Sequence, residues 1–160
     1  TSELFPEPDT PVTHVMTPNG ISTSTWELTQ LASKIRLIAC VKTMRYLVMG
    51  GRVSPAAGKI GGILGITPII SLVDGKVEPL GKVRGHKAAC HWIQHYLETH
   101  PADARYPVVF SHSVNPQGRD ELVQELDALL PNNDYLYCDL GSTIGTHIGP
   151  GAIGVAYIEK

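Results

Sequence analysis

Three stretches of this chain carry too little polar alternation to lie with one face in water. They are RLIACV from Arg36 to Val41, PVVFSHS from Pro107 to Ser113 and AIGVAYI from Ala152 to Ile158. A strand covered on both faces reads as such a continuous apolar run. Helix-forming stretches separate them. One runs from about His86 to Thr99, and another from Gln117 to Leu130 sets Leu122, Val123, Leu126, Leu129 and Leu130 at helical spacing. Tyr135 to Asp139 reads as a further strand. Asp74-Gly75 lies between strand-like runs at Thr67–Val73 and Lys76–Val83, which is a strong hairpin signal. The fold class that follows is α/β, a mixed β-sheet flanked by helices.

The front of the chain is different. Residues 1–22 are rich in Pro, Thr and Ser, and Pro6, Pro8, Pro11 and Pro18 forbid a long helix there. This segment reads as a leader or linker arm, with residues 23–160 forming a single α/β domain. Ser22 to Thr25 offer N-cap residues for a helix through about Lys34. Met44 to Met49 makes a helical turn stopped by Gly50-Gly51. Ser54-Pro55 then opens a helix to about Leu64 in which Gly58, Gly61 and Gly62 leave a smooth face. That face suits either tight packing on a sheet or the approach of an apolar ligand chain. Gly58-Lys59-Ile60 is not a phosphate loop, since no Ser or Thr follows the lysine.

Composition narrows the function classes. The thirteen Lys and Arg are scattered and balanced by fifteen acids, for a net charge of -2, so there is no basic face for nucleic acid. No apolar run approaches the ~18 residues of a membrane helix. The three cysteines, Cys40, Cys90 and Cys138, form neither a CxxC pair nor an even framework, which points to the reducing cytoplasm. A start at Thr1 rather than Met reads as a piece of something longer.

Three constellations offer chemistry. The stretch Gly145-Thr146-His147-Ile148-Gly149-Pro150-Gly151 holds one imidazole in a loop of three glycines and a proline. Such a loop either places His147 for a ligand or is a tight turn with an incidental histidine. Arg52 and Arg84 each sit beside a glycine and, near His147, would suit an acid or acyl phosphate; alone, each is a solvated surface charge. On the helix beginning at His86, the pairs His86/Cys90 and His91/His95 are four apart, with His100 beyond. That spacing can bind zinc, but no HExxH appears, and no metal site is assigned. Ser111-His112-Ser113 ends a strand without the GxSxG elbow of a hydrolase.

Together GGRVS (Gly50–Ser54), DGK leading into KVRG (Asp74–Gly85) and GTHIGPGA (Gly145–Ala152) resemble the DegV family of bacterial fatty-acid-binding proteins. The likeness runs from about Ser33 to Lys160 and corresponds to the family's C-terminal domain. The N-terminal domain's TDST and SSGLSGT motifs are absent. The resemblance implies a non-enzymatic carrier, with no cofactor beyond a bound long-chain fatty acid. It implies a partner kinase related to dihydroxyacetone kinases, which turns the acyl carboxylate into an acyl phosphate for phospholipid synthesis. On this pattern His147 meets the carboxylate, with Thr146 and Gly149 beside it. Ile63 of the small-residue helix, with Ile66 and Ile69, walls the acyl chain, and Arg52 and Arg84 serve kinase docking or phosphoryl transfer. The absent head-group contacts would come from the missing domain or a second subunit. The alternative is an interaction or regulatory domain that keeps the fold without binding lipid.

Overall fold

The computed structural model describes residues 14–16, 22–54, 65–73, 75–130 and 134–160. Most of the expected small-residue helix, with Ile63, and most of the expected leader therefore lie outside the described residues, as does Asp74. The chain divides into two compact units, Thr1–Ile35 and Arg36–Lys160. In the first, strands β1 (His14–Met16) and β2 (Ser22–Ser24) pair antiparallel, His14 opposite Ser24. Helix α1 (Thr25–Ser33) follows directly on Ser24.

The second unit is built on a six-stranded sheet. Its strands are β3 (Ile35–Cys40), β4 (Ile66–Val73), β5 (Lys76–Arg84), β6 (Val108–His112), β7 (Tyr135–Asp139) and β8 (Ile153–Ile158), in the spatial order β5-β4-β3-β8-β6-β7. The pairs β3–β4, β4–β5 and β6–β8 are antiparallel, and β6–β7 is parallel. The sheet is therefore mixed, as the hairpin signal required. Among the described residues its α-helices are α2 (Arg45–Met49), α3 (His86–Thr99), α4 (Pro116–Leu126) and α5 (Ser142–Ile148).

Both faces of the sheet are covered, which explains the unbroken apolar runs. Ile38 and Cys40 of β3, Ile69 of β4, Val108 and Phe110 of β6 and Val155 of β8 join Ile93 and Leu97 of α3 and Leu122 and Leu126 of α4 in one cluster. Ala39 and Val41 instead join Ile70, Leu47 of α2 and Ile148 of α5 in a second cluster. Successive residues of a strand point to opposite faces, so β3 feeds both layers.

Local chemistry sets the details. Gly75 takes φ 73° at the hairpin, where a side chain would be strained. The β4–β5 register shifts between Ile69, opposite Gly81, and Ile70, opposite Pro79. Pro79 lacks a donor and is tolerated because β5 is an edge strand. Gly81 lies under Trp92 of α3, whose Nε1 would stand 3.2 Å from a Cβ there. The helix expected from Gln117 to Leu130 begins instead at Pro116, capped by Asn115, and gives way to a 3₁₀ turn at Asp127–Leu129. The expected loop from Gly145 to Gly151 is a helix up to Ile148 and a turn thereafter.

Phe110 is wholly buried where α3 and α4 meet the sheet. Phe110→Ala is expected to cost about 3–5 kcal/mol in urea-unfolding free energy through lost burial and the cavity left behind. A loss below about 1 kcal/mol would show that this face of the sheet is not the packed core.

Candidate functional site

His147 sits in the last turn of α5, and two glycines determine its surroundings. Gly149 ends the helix at φ 75°, with its N–H donating to the Gly145 carbonyl at 2.8 Å. The Tyr46 ring of α2 occupies the space a Cβ on Gly149 would take. Reciprocally, the His147 ring lies against Gly50 at the end of α2, and a Cβ there would overlap Nδ1. Gly50 has ordinary helical angles, φ -80° and ψ -1°, so it is glycine for space rather than for conformation. The contact buries Nδ1, which has no hydrogen-bond partner among the described residues. Nε2 is thus the ring nitrogen left to meet a ligand.

Arg52 is brought to the same place. Its Nη1 donates to the Gly50 carbonyl at 2.8 Å, beside the imidazole, and the side chain is otherwise exposed. Arg84 is also exposed, in register with Ile66 and beside Gly65. Thr146 is exposed and donates its hydroxyl to the Thr143 carbonyl at 3.0 Å. Gly149 is buried beneath Tyr46. Ile66 is half-buried, whereas Ile69 is wholly enclosed in the cluster beneath α3.

A cleft of about 880 Å³ opens where β3 and β5 end and β4 and β8 begin. Its described wall mixes Ile66, Val114 and Ile153 with Lys42, His86 and Glu121. Pro150 and Gly151 border it, while His147 stands behind them on α5 rather than on the wall. Cys40 also lines the cleft, but burial and the neighbouring Cys90 push its thiol up to about 12. Burial, then Glu125 and Glu121, push Cys90 up to about 11. Neither is a thiolate near neutral pH, so neither serves as a nucleophile there.

The histidines of α3 lie against carboxylates. His86 Nε2 lies 3.0 Å from Glu121 and His91 Nδ1 2.7 Å from Glu125, both on α4, and His95 pairs with Glu98 at 3.0 Å. Among the described residues no group of three His, Cys, Asp or Glu is placed to hold a metal. Ser111 directs its hydroxyl toward the Gly154 carbonyl at 3.5 Å, away from a nucleophile's role with His112.

At the end of β6 the Ser111-His112-Ser113 stretch meets the end of β7, a contact that no spacing in the sequence signals. Buried His112 places Nε2 2.9 Å from Asp139 Oδ1, and its Nδ1 accepts the Asn115 N–H at 3.3 Å. Asn115 Oδ1 in turn accepts the Gly118 N–H at 3.1 Å, and its Nδ2 donates to the Gly151 carbonyl at 3.3 Å. Between them Val114 takes φ 52°, a costly backbone for a β-branched residue. The Asn-Pro pair at residues 115–116 was the one legible signal, a helix cap followed by proline at the first helical position.

A family model described as "Uncharacterised protein, DegV family" matches residues 17–160. A DegV domain-containing protein of Caldanaerobacter subterraneus is 36% identical over 128 residues, covering 79% of this chain and 46% of that protein. A Thermotoga maritima protein named a fatty acid-binding protein is 34% identical over 120 residues, covering 74% and 42%. A crystal structure of a DegV lipid-binding protein from Thermotoga maritima superposes with a TM-score of 0.72 at 29% identity, over 83% of this chain and 46% of that one. The B3 protein of the Streptococcus pneumoniae fatty acid kinase, solved with linoleic acid, shares the fold with a TM-score of 0.74 at 21% identity, over 84% and 48%. The chain spans about half the length of the curated relatives it matches.

Of the three free cysteines only Cys138 is exposed. A disulfide reagent such as Ellman's is expected to titrate one thiol in the native chain and all three in denaturant. Rapid reaction of two or more thiols without denaturant would contradict the buried placement of Cys40 and Cys90.

Proposed function

Because the chain belongs to the DegV family, we propose that it binds a long-chain fatty acid and that His147 receives the carboxylate. The observation that carries this reading is the seat of the imidazole: its Nδ1 is buried against Gly50, so Nε2 is the nitrogen offered to a ligand. With its proton on Nε2, the ring is a donor for a carboxylate oxygen. The acyl chain would supply most of the affinity, at about 0.8 kcal/mol per buried CH₂. Ile66 on the cleft wall, with Ile63 and the deeper Ile69, would back that chain, and Thr146 and Gly149 would frame the head group.

On the same reading residues 23–160 act as the acyl-binding domain behind a leader of residues 1–22. Further head-group contacts come from a second domain or subunit, consistent with a chain about half the length of its relatives. The function is carriage in the cytoplasm rather than catalysis: a kinase of the dihydroxyacetone-kinase type receives the presented carboxylate and makes the acyl phosphate. Exposed Arg52, held beside His147 through Gly50, and exposed Arg84 at the end of β5 are the cations offered to that partner or to the phosphoryl group. One finding favours the alternative of an interaction domain without lipid, namely the Lys42, His86 and Glu121 that make part of the cleft wall polar.

His147→Ala and Gly50→Ala give the test. The first deletes the donor; the second leaves a permitted backbone but drives the ring from its seat. Both are expected to weaken palmitate binding by about tenfold, the equivalent of one hydrogen bond to a charged group, with unfolding midpoints near that of the parent chain. Unchanged palmitate affinity in both folded variants would overturn the carboxylate role.

A further inference from the structure

We infer that His112 is the positioning residue for His147, holding both ends of the short helix that carries it; this rests on the acyl-binding reading for its function but not for its geometry. The seven residues of α5 make few turns of their own and depend on what anchors them. The segment enters after Asp139 and Leu140. Asp139 is held by His112 Nε2 at 2.9 Å, and the Leu140 N–H donates to the His112 carbonyl at 2.8 Å. The segment leaves through Gly151, whose N–H donates to the Ser113 carbonyl at 2.6 Å and whose carbonyl accepts from Asn115 Nδ2 at 3.3 Å.

Asn115 is in turn oriented by its N–H bond to His112 Nδ1 at 3.3 Å. Entry and exit of α5 thus converge on residues 112–115, and one imidazole touches the support of each. The roles of its nitrogens are forced. Nδ1 accepts an amide proton, so the neutral ring carries its own proton on Nε2 and donates it to Asp139.

The arrangement also accounts for the strain at Val114. For the chain to leave β6 at His112 and return Asn115 to the Nδ1 of that same ring, the two residues between must turn sharply, and Val114 does so at φ 52° with 84% of its surface exposed. A β-branched residue holds such a backbone when its surroundings over-determine it. Here the bonds of His112 and Asn115 on either side do so. The sequence places Ser111-His112-Ser113 at a strand end, where a nucleophile is sought. The structure assigns the middle residue to support.

The test uses the full chain. His112→Phe keeps an aromatic ring and removes both bonds, His112→Asn keeps an acceptor near the Nδ1 position, and Asp139→Ala alters only an exposed partner (84% exposed side chain). Amide hydrogen exchange and the His147 ring resonances are followed by NMR, and palmitate affinity is measured separately.

In His112→Phe the Gly149 and Gly151 amides are expected to exchange about tenfold faster, as for one lost hydrogen bond, and the His147 ring signals to shift, while Ile70 in β4 stays protected. His112→Asn should restore Gly151 protection and palmitate affinity toward the parent values. Should the Phe variant lose protection throughout the sheet, Asp139→Ala decides the matter: faster exchange confined to α5 supports the proposal. Unchanged α5 exchange and His147 signals in a folded variant would overturn it. If the parent chain takes up no palmitate, the acyl-binding reading fails, and the exchange and ring signals still decide the positioning role.

Discussion

Two aromatic rings resting on two glycines hold the candidate site together. Tyr46 of α2 packs where Gly149 has no side chain, and His147 of α5 packs where Gly50 has none. Each contact requires the other helix to be close, so a Cβ at either glycine would separate the pair. The closeness encloses Nδ1 of His147, and it brings the guanidinium of Arg52 to the Gly50 carbonyl beside the ring. Burial of one nitrogen without a hydrogen bond is a cost, and packing is what holds the ring in that place.

The sheet sets where this pair of helices can stand. Because β3 supplies Ile38 and Cys40 to one layer and Ala39 to the other, with Val41 just beyond its end joining the second, that end is fixed from both sides. The chain leaving it at Lys42 borders the cleft and leads into α2. On the far side, β6 and β7 run parallel and finish together at His112 and Asp139, and α5 follows directly from β7. Ligand sites in α/β folds collect at such strand ends. The larger core beneath α3 and α4 provides the fixed frame against which short α2 and α5 are held.

Much of this was legible from the residues. The covered strands followed from their apolar runs, the β4–β5 hairpin from Asp74-Gly75, and α4 from the helical spacing of Leu122 and Leu126. The short α5 was not legible, since three glycines and a proline between Gly145 and Gly151 look like a loop, and only the cap at Gly149 shows why a helix stops there. Nor could spacing reveal that His112 joins Asp139, because the two meet through strand pairing rather than along one element. The polar part of the cleft wall was also hidden, since Lys42, His86 and Glu121 come from three separate segments.

Where a carboxylate sits relative to one nitrogen is the question that decides the account. A crystal structure of this chain grown with palmitate answers it directly. The account predicts a carboxylate oxygen about 2.7–3.2 Å from His147 Nε2, within ordinary hydrogen-bond range, with the alkyl tail running toward Ile66. A palmitate bound with its head group away from the Gly50–Gly149 pair, and the imidazole still unengaged, would contradict it.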